Sequence, residues 1–172
     1  MVFTGTYEHA IDGKNRLAIP SEIRRHLVHA ATKDTSPDTP VFLYVSLGEG
    51  GSLAIYEEKT FEKRAEQLDS SEMDPEQLLA YERLMYSLSA RVELDPQGRV
   101  RLPDNLIKIA KLGTEVVLIG VKDHLEIRDR ASWQSHVEQT LANDPNAMVN
   151  PRRFIGHRGN GSGNGNGDGK SH

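Results

Sequence analysis

Two arginines, each four positions after an aspartate, are the side chains best suited to recognition chemistry in this sequence. Asp12 precedes Arg16, and Asp95 precedes Arg99. A guanidinium is planar, permanently charged and rich in donors, so it suits a phosphate oxygen or the edge of a guanine base. Each aspartate can accept hydrogen bonds from the backbone of its own turn or pair with its arginine, and either would order the loop before binding.

Three further basic residues accompany this pair. Lys14 is at the tip of the first turn, Arg24 is on the helical segment that follows, and Arg101 lies two positions after Arg99. Strand alternation directs Arg16, Arg99 and Arg101 away from the core. The alternative is that each arginine is a solvated strand end after an ordinary turn. That alternative is weakened because a turn requires Asp and Gly but does not require Arg twice at the same place.

The two motifs belong to an internal repeat, which indicates that the fold is built twice. The Asp, Arg and Pro at positions 12, 16 and 20 recur 83 positions later at 95, 99 and 103, and Leu17 matches Val100. Later segments match at a shift of 72, as Leu53 and Leu125 do. We attribute most of the 11-residue difference between the two shifts to the polar loop at 31–40.

Each motif predicts a hairpin that ends at a proline, where a helix then begins. The predicted turn-forming residues are Asp12, Gly13, Asp95 and Gly98. Asp and Asn tolerate left-handed backbone geometry, and we expect Gly13 to adopt it at no steric cost.

The remaining segments predict short strands and amphipathic helices. Apolar strands are expected at 41–47, 53–56, 115–121 and 125–128, and helices at 57–68, at 131–141 and from Asp74 onward. After Pro103, the predicted buried helix face comprises Leu106, Ile109 and Ala110. The apolar stripe of the helix from Asp74 predicts core packing or a subunit contact, and it comprises Leu78, Tyr81, Met85 and Leu88.

The predicted fold is α+β and β-rich, with two tandem units that share one core, because one unit alone is too short to bury its apolar surface. We expect pseudo-twofold symmetry, with both turns on the same rim. The expected divisions are a first repeat at 5–60, connecting helices at 61–88, a second repeat with a closing helix at 89–141 and a disordered Gly- and Asn-rich tail at 142–172.

Composition argues against several classes of protein. The 172 residues include no cysteine, so disulfides, thiolate metal sites and cysteine nucleophiles are excluded. No apolar run is long enough to span a bilayer, and the N-terminus lacks the features of a signal peptide. His26 and His29 are interpreted as a surface pair and not as metal ligands. Because no nucleophile, paired-acid or phosphate-loop pattern is present, we expect neither an enzyme nor a cofactor.

Both motifs resemble those of the MraZ family of bacterial proteins. The resemblance is carried by Thr6-Tyr7-x-x-x-Ile11-Asp12-x-Lys14-x-Arg16-Leu17-x-Ile19-Pro20 and by Asp95-x-x-Gly98-Arg99-Val100-x-Leu102-Pro103. It covers roughly residues 3 to 136 and leaves the tail from Asn143 outside. Two departures stand out, because the family has Gly where this chain has Asn15 and has a phenylalanine-rich stretch where this chain has 83–90.

The resemblance implies tandem swapped-hairpin units of the SpoVT/AbrB type and a closed ring of identical subunits. It also implies a regulator of the cell-division and cell-wall gene cluster that binds repeated boxes in the double-stranded DNA upstream of its own operon. Arg16 and Arg99 would inherit the DNA contacts, and Lys14 matches the family's basic turn residue.

We therefore predict a DNA-binding transcriptional regulator that is cytoplasmic and associated with the nucleoid. Its predicted DNA-binding residues are Lys14, Arg16, Arg24, Arg99 and Arg101. The overall charge of −4 is compatible with a basic surface that is confined to one rim. The alternative is a ring-forming module whose turns bind an acidic protein partner, as antitoxin-like relatives of this fold bind toxins. Salt-sensitive binding to its own upstream DNA would separate the two functions.

Overall fold

A computed structural model describes residues 2–33, 36, 38–69 and 72–144. The chain divides into one unit at Met1–Ser135 and a second at His136–His172. All the named strands and the first four helices lie in the first unit, whereas the described part of the second unit is the end of the last helix and Asp144. The predicted tail at 142–172 falls outside the described residues beyond Asp144.

The first unit is built from a six-stranded antiparallel sheet and a separate two-stranded ribbon. In sheet order, the six strands are β1 (Thr6–Ala10), β7 (Glu115–Val121), β8 (His124–Asp129), β4 (Leu53–Glu57), β3 (Phe42–Leu47) and β5 (Ala90–Glu93). The ribbon pairs β2 (Arg16–Ala18) with β6 (Arg99–Arg101). The helices are α1 (Ser21–Thr32), α2 (Glu58–Asp69), α3 (Pro75–Ser87), α4 (Asp104–Ile109) and α5 (Arg130–Asn143).

Strand pairing shows the pseudo-twofold symmetry. The equivalent strands of the two repeats are β1 and β5, β3 and β7, and β4 and β8. When each strand is replaced by its equivalent, the strand order of the sheet is the same read from the other end. The ribbon is centred on Leu17 opposite Val100, and the middle of the sheet on Ala54 opposite Glu126. The first strand of each repeat pairs with the other repeat, β1 with β7 and β5 with β3. The predicted α+β fold of two tandem swapped-hairpin units is therefore confirmed.

The main core lies between the ribbon and one face of the sheet. Leu17 and Val100 are fully buried and pack in the same cluster as Leu53 and Ile55 of β4. Side chains alternate along a strand, so Ala54 and Tyr56 of β4 point to the other face of the sheet. There Ala54 and Tyr56 pack with Phe61 of α2. The ribbon and α2 consequently lie on opposite faces of the sheet.

The structure corrects the prediction that a loop accounts for most of the difference between the repeats. Helix α1 has 12 residues and α4 has six, whereas the connection that follows has nine residues (33–41) in the first repeat and five (110–114) in the second. The larger share of the extra residues therefore lengthens α1. The physical reason is that Leu27, four positions after Ile23, is also buried and holds another helical turn against the core.

The predicted burial of Ile109 is wrong, because this side chain is 47% exposed. Leu106 and Ala110 are buried, and Ile107 packs against the core in place of Ile109. At 3.6 residues per turn, the buried face is centred between Leu106 and Ile107, and Ile109 lies about 110° from that centre.

Helix α3 packs loosely against the sheet. It begins at the predicted position, with Asp74 as a capping residue that accepts a hydrogen bond from the Glu76 backbone N–H at 2.8 Å. None of its side chains is buried, and Tyr81 of the predicted stripe is 46% exposed. Met85 and Leu88 are only partly buried against the two clusters.

Candidate nucleic-acid interface

Each ribbon strand follows a turn that ends in a left-handed residue. In the first turn, 12–15, the Asn15 N–H donates to the Asp12 carbonyl at 2.9 Å. In the second turn, 95–98, the Gly98 N–H donates to the Asp95 carbonyl at 2.8 Å. The final residues have φ values of 59° at Asn15 and 78° at Gly98. The two turns therefore have the same backbone plan, which is a common one for short hairpin loops.

The left-handed geometry is not at Gly13, where it was expected. Gly13 is absent from the positive-φ residues, and its equivalent in the second turn is Pro96, whose ring fixes a negative φ. Asn15 takes the position where the MraZ pattern has Gly. The turn keeps its form because Asn tolerates left-handed geometry better than other residues with a β-carbon.

The Asp12 carboxylate orders the first turn and its arginine together. Its Oδ1 accepts hydrogen bonds from the backbone N–H groups of Lys14 and Arg16, both at 2.9 Å. Its Oδ2 accepts from Nε of Arg16 at 2.7 Å and lies 2.7 Å from Nη2. The Arg16 backbone hydrogen bond is the main cause that lowers the pKa of Asp12 from 3.8 to about 2. The ionised form is therefore the one that the turn requires.

Asp95 makes nearly the same contacts in the second turn. Its Oδ1 accepts from the Arg99 backbone N–H at 2.8 Å, and its Oδ2 accepts from Nε of Arg99 at 2.9 Å. Burial opposes ionisation of Asp95, but the hydrogen bonds and charge of Arg99 outweigh it and lower the pKa of Asp95. A further contact, absent from the first turn, joins Nη2 of Arg99 to Oε1 of Gln97 at 3.1 Å.

The ribbon brings the basic side chains of both repeats onto one surface. Arg16 lies opposite Arg101, and Ala18 lies opposite Arg99. Since Leu17 and Val100 point into the core, these four residues lie on the outer face. The turns close opposite ends of the ribbon, because the Ile19 N–H donates to the Gly98 carbonyl and the Leu102 N–H to the Asn15 carbonyl.

The predicted binding residues are not equivalent in their surroundings. Lys14 and Arg101 are exposed, and within the described residues neither side chain forms an ion pair. The side chains of Arg16 and Arg99 are about one-third exposed and paired with their aspartates. Nη1 of Arg24 donates to the Gln97 carbonyl at 3.1 Å, so this guanidinium is bound to the second turn.

Sequence reasoning missed the roles of Gln97 and of the helices that contact the turns. Arg24 and Gln97 are 73 positions apart, and a single sequence carries no local signal for such a contact. One indirect signal existed, since the repeat aligns Arg24 with the apolar Ile107 and so marks a difference between the two halves.

The predicted surface pair His26 and His29 has no cluster of metal ligands around it in the part of the chain that the structure describes. No group of three or more possible metal ligands is found among these residues. His26 instead contacts Glu57, with Nε2 to Oε1 at 3.1 Å. Among the described helices, none has the length and apolar character needed to cross a membrane.

A family model described as "MraZ protein, putative antitoxin-like" matches the chain in two stretches, 2–80 and 85–154. The break between the stretches lies inside α3. The match continues to residue 154, which is farther than the limit near 136 expected from the motifs.

Three relatives, each named transcriptional regulator MraZ, illustrate the similarity. The protein of Lactiplantibacillus plantarum is 34% identical over 83% of this chain and 92% of its own length. The protein of Mesoplasma florum is 32% identical over 79% of this chain and 86% of its own length. The protein of Clostridium acetobutylicum is 30% identical over 90% of this chain and 99% of its own length. These names denote regulators and not enzymes. The chain therefore belongs to the MraZ family.

Proposed function

We propose that this chain is a sequence-specific transcriptional regulator that binds double-stranded DNA through the outer face of the β2–β6 ribbon. The observation that carries the proposal is the cluster of four cations on that face and its first turn, namely Lys14, Arg16, Arg99 and Arg101. The names of the relatives support a regulatory role. A two-stranded ribbon also has a width that the major groove of B-DNA admits.

The paired arginines retain donors for a ligand. A guanidinium has five N–H donors, and Asp12 engages Nε and Nη2 of Arg16. The Nη1 edge of Arg16 therefore remains available for a guanine or a phosphate. The same holds for Arg99, which Asp95 engages in the same way. Since the carboxylates fix the guanidinium planes of Arg16 and Arg99 in advance, the two side chains lose less conformational entropy on binding.

Lys14 and Arg101 suit a different task. Both are exposed and lack a carboxylate partner within the described residues, so they can approach phosphates freely. Contacts of that kind position a protein on the duplex and make its affinity strongly dependent on salt. The proposed division of labour is thus recognition by Arg16 and Arg99 and attachment by Lys14 and Arg101.

We further propose that the protein acts as a homo-oligomeric ring on repeated boxes upstream of its own operon, the division and cell-wall gene cluster. This finer assignment rests on the resemblance of both motifs to the family. It also has a physical motive, because one ribbon offers few phosphate contacts and would bind weakly on its own. A ring that presents several ribbons gains affinity through effective concentration. Such a regulator would work in the cytoplasm at the nucleoid.

Substitution of the two paired arginines tests the DNA assignment. Arg16→Ala and Arg99→Ala should each weaken binding to the upstream DNA by about 1–3 kcal/mol. Affinity is measured by fluorescence anisotropy at several salt concentrations, with a scrambled duplex of equal length. Lys63→Ala is the matched control, because Lys63 is an exposed cation on α2, behind the sheet.

Two results would contradict this proposal. If the Arg16→Ala/Arg99→Ala variant remains folded by circular dichroism and keeps its affinity, the ribbon is not the DNA surface. If the intact protein binds the scrambled duplex as tightly as the upstream DNA, binding is not sequence-specific. Absence of any salt-sensitive DNA binding would favour the alternative, an acidic protein partner. A footprint on the upstream region would locate the boxes.

A further inference from the structure

The two turns are attached to the opposite repeat by different side chains. At the second turn, Arg24 of α1 donates from Nη1 to the Gln97 carbonyl at 3.1 Å. The Arg24 side chain also occupies the space that a β-carbon on residue 98 would need, and the positive φ of 78° at this position favours glycine independently. The turn of the second repeat is therefore held by a helix of the first.

The first turn has no equivalent of this arginine. The residue that corresponds to Arg24 in α4 is Ile107, which has no side-chain donor. The side chain of Asn15, which corresponds to Gly98, instead interacts with Asp104 of α4 and, after Lys108, helps to lower the pKa of that carboxylate. Asp104 in turn pairs with Lys108. The first turn is thus attached through an exposed carboxylate and the second through a guanidinium.

A chain of contacts leads from Arg24 to the arginine that we place on DNA. Arg24 fixes the Gln97 carbonyl, and the Gln97 side chain accepts a hydrogen bond from Nη2 of Arg99 at 3.1 Å. Asp95, at the start of the same turn, accepts a hydrogen bond from Nε of Arg99 and also lies 2.8 Å from Nη2. Loss of the Arg24 contact would release the backbone between the two groups that orient Arg99.

We infer that Arg24 is a positioning residue that acts on DNA binding through the second turn and Arg99, and not through its own contact with DNA. The inference rests on the proposed function. It replaces the direct DNA contact expected for Arg24 from the sequence. It also makes the two halves of the ribbon unequal, since the turn that contains Lys14 lacks this support.

A double-mutant cycle tests the inference, because residues that act as a unit give non-additive effects and independent residues give additive ones. Arg24→Ala alone should lower affinity roughly 3- to 10-fold, a factor of the size expected for one lost hydrogen bond. In an Arg99→Ala background, Arg24→Ala should lower affinity by less than about 2-fold, because the guanidinium that Arg24 positions is absent. In an Arg16→Ala background it should keep its full effect.

Arg25→Ala serves as the matched control. Arg25 is the next residue of α1, is exposed and forms no ion pair within the described residues. It should leave affinity within about 2-fold of the unmodified protein. A drop equal to that of Arg24→Ala would mean that any charge on α1 matters, which would overturn the inference.

Hydrogen exchange of the DNA-free protein supplies a readout that does not depend on binding. The Gly98 amide, which donates to the Asp95 carbonyl, should exchange several-fold faster in Arg24→Ala. The Asn15 amide of the first turn should keep its rate. Unchanged exchange at Gly98, or additive costs in both arginine backgrounds, would overturn the inference while the proposed function stands. If Arg99→Ala itself leaves affinity unchanged, the proposed function fails and the inference fails with it.

Discussion

At the scale of single residues, the two aspartates perform a task that a larger side chain could not. A carboxylate two atoms from the backbone reaches both the N–H groups of its own turn and the guanidinium four positions later. Each turn is thereby ordered before any ligand arrives. Such preorganisation raises affinity, because fewer loop and side-chain conformations are lost when the ligand binds.

The pKa of Asp12 predicts how the first turn responds to acid. The pKa is about 2 in the folded chain and 3.8 without the fold, so folding favours the ionised form. Its contribution to stability is therefore complete above about pH 5 and is lost progressively as the pH falls through 3.8 to about 2. Asp12→Asn cannot titrate, so its stability should differ most from that of the unmodified protein at neutral pH.

Urea unfolding of both proteins at a series of pH values measures this difference. The difference in stability should be constant from neutral pH to about pH 5 and should shrink from there to about pH 2. A gap that stays constant down to pH 2 would mean that the Asp12 carboxylate does not stabilise the turn through its charge.

Local chemistry predicts part of the candidate site and misses the rest. Residue types and spacing identify Asp12, Asp95 and their arginines, because a turn and its capping carboxylate lie within five residues of one another. They do not identify the support that Gln97 receives from Arg24. That contact depends on how the two repeats pack, and no short-range pattern encodes it. Which of these side chains touch DNA remains a prediction.

At the scale of elements, the ribbon strands are too short to be stable alone. Each has three residues, and an isolated two-stranded hairpin is marginal in water even when longer. The ribbon is held down by Leu17 and Val100, which are both fully buried at its centre. The placement of the outer arginines therefore depends on the two inner apolar side chains.

Truncation of the inner side chain should consequently destabilise the whole unit. Leu17→Ala should lower the free energy of unfolding by roughly 2–5 kcal/mol, as large-to-small changes in packed cores do. Ile109→Ala, on the half-exposed side of α4, should change it by less than about 0.5 kcal/mol. Denaturant melts of the two variants give the comparison. Similar losses in both would contradict the assignment of Leu17 to the core.

Element types are predictable here because strand alternation and helix periodicity are local. Alternation places Leu17 and Val100 inside, and proline with the following residues predicts the starts of α1 and α4. The length of a helix, in contrast, depends on packing partners that are distant in the sequence. The extension of α1 depends on whether Leu27 finds a core to pack against, and the face of α4 depends on a partner surface. The predictions that the loop at 31–40 holds most of the extra residues and that Ile109 is in the core are therefore both wrong.

At the scale of the whole molecule, the repeat predicts two similar halves but not how they interlock. A shift of 83 positions indicates that a hairpin recurs, and alternation indicates which side of it is apolar. Neither indicates that β1 pairs with β7 or that β5 pairs with β3. The resemblance to a family of swapped hairpins supplied that expectation. The swap is important for the proposed DNA binding, because it places basic side chains from both repeats on one ribbon.

The proposed ring predicts how affinity depends on the number of boxes. One ribbon, which offers four cations together with its first turn, should bind a single box weakly, and two boxes engaged by one assembly should bind roughly 100-fold more tightly or better. Duplexes of equal length that retain one, two or all of the footprinted boxes provide the measurement, with sedimentation at the same protein concentration to give the subunit number. The gain in affinity requires that the spacing of the boxes matches the spacing of the ribbons. Insertion of half a turn of DNA between two boxes should therefore abolish most of the gain, since the second box then faces away from its ribbon. Equal affinity for one and two boxes would show that each chain binds independently.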